Sequence, residues 1–176
     1  MTDQELDNYV DLLKKEGWKV ELKDSGGVWL NESFSRRYPQ IPESYITFLQ
    51  RVASCVNAAE TVWFLCADDY NGTSKSAWAW NEFEKIDLEG AQGDEQTTAQ
   101  IVEFWNHHLP FMYSVGGDYA YLALRVTGDS CGSVVDGYDI ELTTVSDVAP
   151  TFEEFVRLHS AALKGDFGDN VLRDYV

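Results

Sequence analysis

GGDYAYLALRV (116–126) decides how this chain is read: two glycines and an aspartate run into eight residues that are apolar or aromatic apart from Arg125. A dinucleotide-binding loop needs Gly-x-Gly-x-x-Gly between a strand and a helix. Here the third glycine is missing, Asp118 would repel phosphate, and a strand-like run follows instead of a helix. The stretch therefore reads as a loop entering a buried strand, with Gly116 and Gly117 supplying a positive φ or a close backbone approach. The polar connection TGDSCG (127–132) leads to a second run, SVVDGYDIEL (133–142). From Phe111 onward this spacing predicts an antiparallel hairpin or meander.

Working outward, Thr2 and Glu5 form a capping-box pattern before Leu6, Tyr9, Val10 and Leu13, which recur at helical spacing until Gly17. WKVELKDSGGVWL (18–30) alternates around Ser25-Gly26-Gly27 and predicts short strands or a strand and a loop. In YPQIPESYITFLQRV, Pro42 opens a helix over about 42–54 with Tyr45, Phe48, Leu49 and Val52 on one stripe. TVWFLCA (61–67) reads as a buried strand. Residues 68–100 read as an irregular, insertion-like region of loops with one short helix, and AQIVEFWNH (99–107) as a helix closed before Pro110. Thr151 and Glu154 form a second capping box ahead of Phe152, Phe155, Val156, His159 and Leu163, leaving KGDFGDNVLRDYV as a tail.

The 176 residues suit one domain, 1–176, and 44% hydrophobic with 14% aromatic residues is too apolar for a disordered chain. A formal net charge of −17 repels nucleic acid and anionic lipid, so any partner is expected to be a basic protein. Three cysteines with no close pair, Cys55, Cys66 and Cys131, fit reduced thiols buried as small hydrophobes. The N-terminus lacks a basic, apolar leader, and no run approaches a membrane span. A cytoplasmic location is the expectation.

Signatures of chemistry fail one after another. GDSC (128–131) sits between two strand-like runs with no histidine nearby in sequence. His107 and His108 are adjacent and point about 100° apart on a helix, so they cannot chelate as an i, i+4 pair would; they read as surface or helix-end imidazoles. His159, on an apolar helix face, reads as a hydrogen-bonded core residue. DDYNGT (68–73) resembles a calcium loop, but placing Gly72 at position 6 puts Ala67 at position 1 and Trp78 at position 12, where carboxylates are required. No metal or other cofactor is expected. Asp68, Asp69, Tyr70, Trp78, Trp80, Glu82 and Glu84 form a cluster of aromatic anchors amid carboxylates suited to a basic protein partner.

The order of these pieces resembles the SUKH superfamily, which includes the fungal Smi/Knr cell-wall-synthesis regulators and many bacterial toxin-immunity proteins. The carrying residues are Ile41-Pro42 opening PESYITFLQRV, VWFL (62–65), LPFMYSVGGDYAYLAL (109–124), GSVVD (132–136) and APTFEEFVRLH (149–159), with Pro42, Gly116, Gly117, Asp118, Phe152 and Phe155 as the structural signature. The resemblance implies an α+β fold, a mostly antiparallel sheet of about six strands flanked by N-terminal, middle and C-terminal helices, with no catalytic residues to transfer. It also implies binding. The resulting expectation is a non-enzymatic, intracellular immunity protein that neutralises a basic toxin domain such as a nuclease. The alternatives are a regulatory scaffold like the fungal members and a hydrolase using two carboxylates about 5–9 Å apart.

Overall fold

The computed structural model describes residues 1–24, 27–138, 144–168 and 171–176. Helix α1 (Asp3–Lys15) begins at the Thr2–Glu5 capping box and buries Leu6, Tyr9, Val10 and Leu13. Strand β1 (Lys19–Leu22) follows, then α2 (Glu32–Arg37), α3 (Glu43–Arg51), β2 (Val52–Val56) and β3 (Val62–Phe64). Helices α4 (Ala67–Asn71), α5 (Glu82–Gly90) and α6 (Glu95–His107) separate these strands from β4 (His108–Ser114) and β5 (Ala120–Arg125). The remaining elements are β6 (Val134–Tyr138), β7 (Val145–Ala149), α7 (Phe152–Ala162) and a 3₁₀ turn, Val171–Tyr175.

The described strands form one antiparallel sheet in sequence order, β1 through β7. Seven strands stand where about six were expected. One of them, β2, replaces the end of the predicted 42–54 helix: α3 stops at Arg51 and Val52 is already extended, at φ −99° and ψ 123°. Val52 does sit on the helical stripe, but it and Val56 are β-branched, and pairing on both sides with β1 and β3 overrides that periodicity.

The 68–100 region is also more regular than its composition predicts. It holds α4, α5 and the first turns of α6, which starts at Glu95 because Asp94 accepts from the Gln96 and Thr97 amides. Polar residues and glycines hid these elements because only one side of each is buried. The predicted strand run SVVDGYDIEL is a strand through Tyr138; residues 139–143 lie outside the described residues, as do Ser25 and Gly26.

Each face of the sheet has its own cover. Register places Cys55, Phe64 and Leu122 on one face, packed beneath α1, α3 and α7. Phe64 there meets Tyr9, Phe48, Phe111 and Phe155, and Phe152 meets Tyr45 and Phe111. Val56, Trp63, Tyr113 and Tyr121 face the other way. Helices α5 and α6 cover only the β4–β5 part of that second face, through Phe83 on Tyr113 and Tyr121 and through Trp105 on Tyr121.

Gly116 launches β5 by close approach and not by a positive φ: a Cβ there would stand 3.3 Å from the Thr61 hydroxyl oxygen. Gly117 and Asp118 are exposed in the same loop. Thr151 caps α7 by accepting from the Glu154 amide, but the Glu154 carboxylate turns to Arg157 instead of completing a box. The tail is part of the core: Leu172 and Tyr175 are buried, and the Tyr175 hydroxyl donates to Asp136 at 2.6 Å. The Tyr175 carbonyl accepts from His159 Nε2 at 2.8 Å, so the neutral imidazole accepts from the Tyr9 hydroxyl at Nδ1. Burial pushes His159 down to about 4 and Asp136 up to about 6.

Candidate functional site

Because α5 and α6 stop short, the second face over β1–β3 is left with a groove of about 810 Å³ between the strands and the segment 73–78. Its floor is made by Val56 and Trp63, and Trp78 closes one wall edge-on to Trp63, with ring centres 6.0 Å apart. Glu21, Glu60, Asp68 and Asp69 line it with one ammonium, Lys75, and a second, Lys19, pairs with Glu60, which leaves an excess of two negative charges. The buried indole N–H of Trp63 has no hydrogen-bond partner among the described residues.

Local chemistry fixes the acidic rim. Cys66 precedes α4, and its amide donates to Asp69 at 2.7 Å, holding that carboxylate at the helix start. Burial raises the Asp69 carboxyl above its ordinary value, partly offset by that hydrogen bond. Asp68, one residue earlier, is exposed. Asn57 accepts from the Thr61 and Val62 amides to close the turn that carries Glu60, which pairs with Lys19.

Of the seven residues expected at a partner surface, the groove gathers Asp68, Asp69 and Trp78. Tyr70 is not on the surface: it is buried, its hydroxyl donating to the Pro110 carbonyl at 2.8 Å beside the Tyr45 hydroxyl. Glu84 is also buried, bidentate to Arg37 at 2.6 and 2.7 Å. Trp80 points away from Trp78, packing on Phe34, Tyr38 and Tyr70. Glu82 accepts from the Ala79 amide and Lys85 at the start of α5. A spacing of two residues between the tryptophans did not put them on one face because residues 78–81 are not a strand.

Glu21, Glu60 and Trp63 were missed. Trp63 was legible in the alternation of TVWFL, which sets it opposite Val62 and Phe64. Glu21 and Glu60 reach the groove only through the β1–β2 pairing and the turn after β2.

The histidines do not converge on one site. His107, at the end of α6, bonds Glu103 and Thr127; His108 stacks on Phe104; His159 is fully buried. Among the described residues no three His, Cys, Asp or Glu side chains could hold a metal ion. Cys55 and Cys66 are buried, and burial pushes both thiols up, whereas Cys131 is exposed on the β5–β6 connection, contrary to the expectation for all three. No helix is long and apolar enough to cross a membrane among the described residues.

These arrangements do not themselves name a relative. No curated protein and no solved structure matches the chain. A family model does, over residues 36–158, from the end of α2 to α7, spanning the Pro42 helix, the Gly116-Gly117-Asp118 loop and the Phe152–Phe155 helix. By that match the chain belongs to the SMI1 / KNR4 family (SUKH-1).

Proposed function

We propose that this protein is a non-enzymatic binding module of the immunity type, which neutralises a basic toxin domain by seating it on the carboxylate-lined groove over β1–β3. The observation that supports this reading is the pairing of an apolar, tryptophan-walled floor with four carboxylates against two ammonium groups, Lys75 and the Lys19 that pairs with Glu60, in a chain of net charge −17. Complementary charge speeds encounter, and desolvated aromatic contacts slow dissociation. Lysine or arginine side chains fit such a groove, laying their aliphatic stems on the indoles and their heads on Asp68 and Glu21.

The test is co-expression with the product of the adjacent reading frame, followed by size exclusion and stopped-flow binding. A stable complex, rescue of growth, and an association rate that falls steeply with salt while dissociation changes little are the expected results. The double variant Asp68→Lys, Glu21→Lys slows association by roughly tenfold or more. A salt-independent association rate sinks the reading.

A regulatory scaffold is the second reading, favoured by a separate groove of about 730 Å³ between α1 and α7. There Glu5 and Glu153 lie with Arg157 and Lys164, so both signs of charge are offered. Several weak partners in a pull-down support the scaffold, and one tight basic partner supports immunity.

A further inference from the structure

Four large apolar side chains are exposed among the described residues, and Trp29 is the most exposed, at 68%. Its backbone is not loose. Asn71, the last residue of α4, donates from Nδ2 to the Trp29 carbonyl at 2.8 Å and accepts from the Asn31 amide at Oδ1, also at 2.8 Å. Asn31 Nδ2 in turn donates to the Tyr70 carbonyl at 3.1 Å, and Asn31 Oδ1 caps α2 by accepting from the Phe34 amide. Tyr70 itself is held by its buried hydroxyl. The loop that presents the indole is thus bolted to the core at three points.

The other end of α4 carries Asp68 and Asp69 into the groove, so Asn71 and the acidic rim belong to one short helix. Tyr119, 43% exposed, packs edge-on to the groove's Trp78 with ring centres 5.1 Å apart. Two exposed aromatics are therefore attached to elements that line the groove, Trp29 to α4 and Tyr119 to Trp78.

We infer that Trp29 is a pre-organised anchor of the docking surface, received by an apolar cleft with a basic rim on the partner that fills the groove. This rests on the function proposed above. A large side chain on an already ordered backbone loses little conformational freedom on binding, which is why such residues dominate interface energies. The occupant is set by charge: Asn71, which holds the Trp29 backbone, lies one helical turn along α4 from Asp68 in the negative groove, so a partner that covers both carries a positive rim.

The experiment uses the full chain and the product of the adjacent reading frame as probe. Stopped-flow kinetics are recorded for the unaltered chain, Trp29→Ala, Trp29→Phe and Asp68→Lys, with far-ultraviolet circular dichroism and thermal midpoint as folding controls. Trp29→Ala dissociates roughly tenfold faster or more with an unchanged salt slope, Trp29→Phe recovers part of the loss, and Asp68→Lys changes association instead. The difference in emission between the unaltered chain and Trp29→Phe shifts to the blue on binding, as the indole leaves water. If Trp29→Ala binds as the unaltered chain does, this inference is overturned and the proposed function stands. If the unaltered chain forms no complex, both fall.

Discussion

Tyr121 lays its ring across Gly137, its register partner on β6, so closely that a Cβ on Gly137 would stand 2.3 Å from the ring. The ring cannot retreat, because Phe83 and Trp105 each lie 4.9 Å from it, centre to centre. Gly137→Ala therefore destabilises by at least about 3 kcal/mol, overpacking at its severe end, read as a lowered urea midpoint. Adding Tyr121→Ala to Gly137→Ala costs less than the sum of the two single changes, because the clash is gone.

Arg37 and Glu84 supply a second test. The side chains are 22% and 8% exposed, and Arg37 Nε also donates to Asn106 at 3.0 Å. Glu84→Ala leaves a guanidinium half-buried against Tyr38 and Trp80 and costs about 3 kcal/mol. Replacing both residues together, Arg37→Met with Glu84→Leu, recovers most of that loss in the same denaturation measurement.

The buried pair beneath the 3₁₀ turn gives opposite pH dependences. His159 is held near 4, below its ordinary 6.5, so the unfolded chain takes up the proton first and stability falls by about 3 kcal/mol as pH drops from 6.5 to 4. Asp136 is held near 6, above its ordinary 3.8, by burial first and by the nearby Asp174 charge. The folded chain binds that proton more tightly, so about 3 kcal/mol is regained as pH drops from 6 to 3.8. The two nearly cancel. Asp136→Asn keeps an acceptor for Tyr175, is more stable than the unaltered chain at pH 7.5 by about 2 kcal/mol, and loses that advantage by pH 4. Thermal midpoints across this range check it; a constant difference at all pH values contradicts it.

Tyr70 separates a core role from a contact role. Tyr70→Phe removes the donor to Pro110 and lowers stability by about 1–2 kcal/mol. Affinity for a basic partner stays within about twofold, since the ring does not reach the surface.

The helices with full stripes and capping signals were legible in the sequence: Thr2 for α1, Thr151 for α7, and the Tyr45–Phe48–Leu49 stripe of α3. So was the β5–β6 hairpin. What stayed hidden depends on long-range pairing. Val52 obeys helix spacing locally and strand pairing globally, and Glu84 resembles any solvated acid until Arg37 arrives from 47 residues away. The candidate groove was half visible, because a cluster in sequence, 68–84, was taken for a cluster in space. Trp78 and Asp68 do meet there, but Trp80 and Tyr70 turn inward to the aromatic core.

The sequential strand order has a consequence for how the molecule assembles. Strands β4 to β6 are joined by short links and can zip as hairpins, whereas β3 finds β4 only after the long connection 65–107 has closed, at a cost in chain entropy. The seam between β3 and β4 divides two locally paired sets, the β2–β3 hairpin and β4 to β6. Because the groove is floored by the β2–β3 hairpin and walled by part of that long connection, it is complete only once the connection has closed and the two sets have joined.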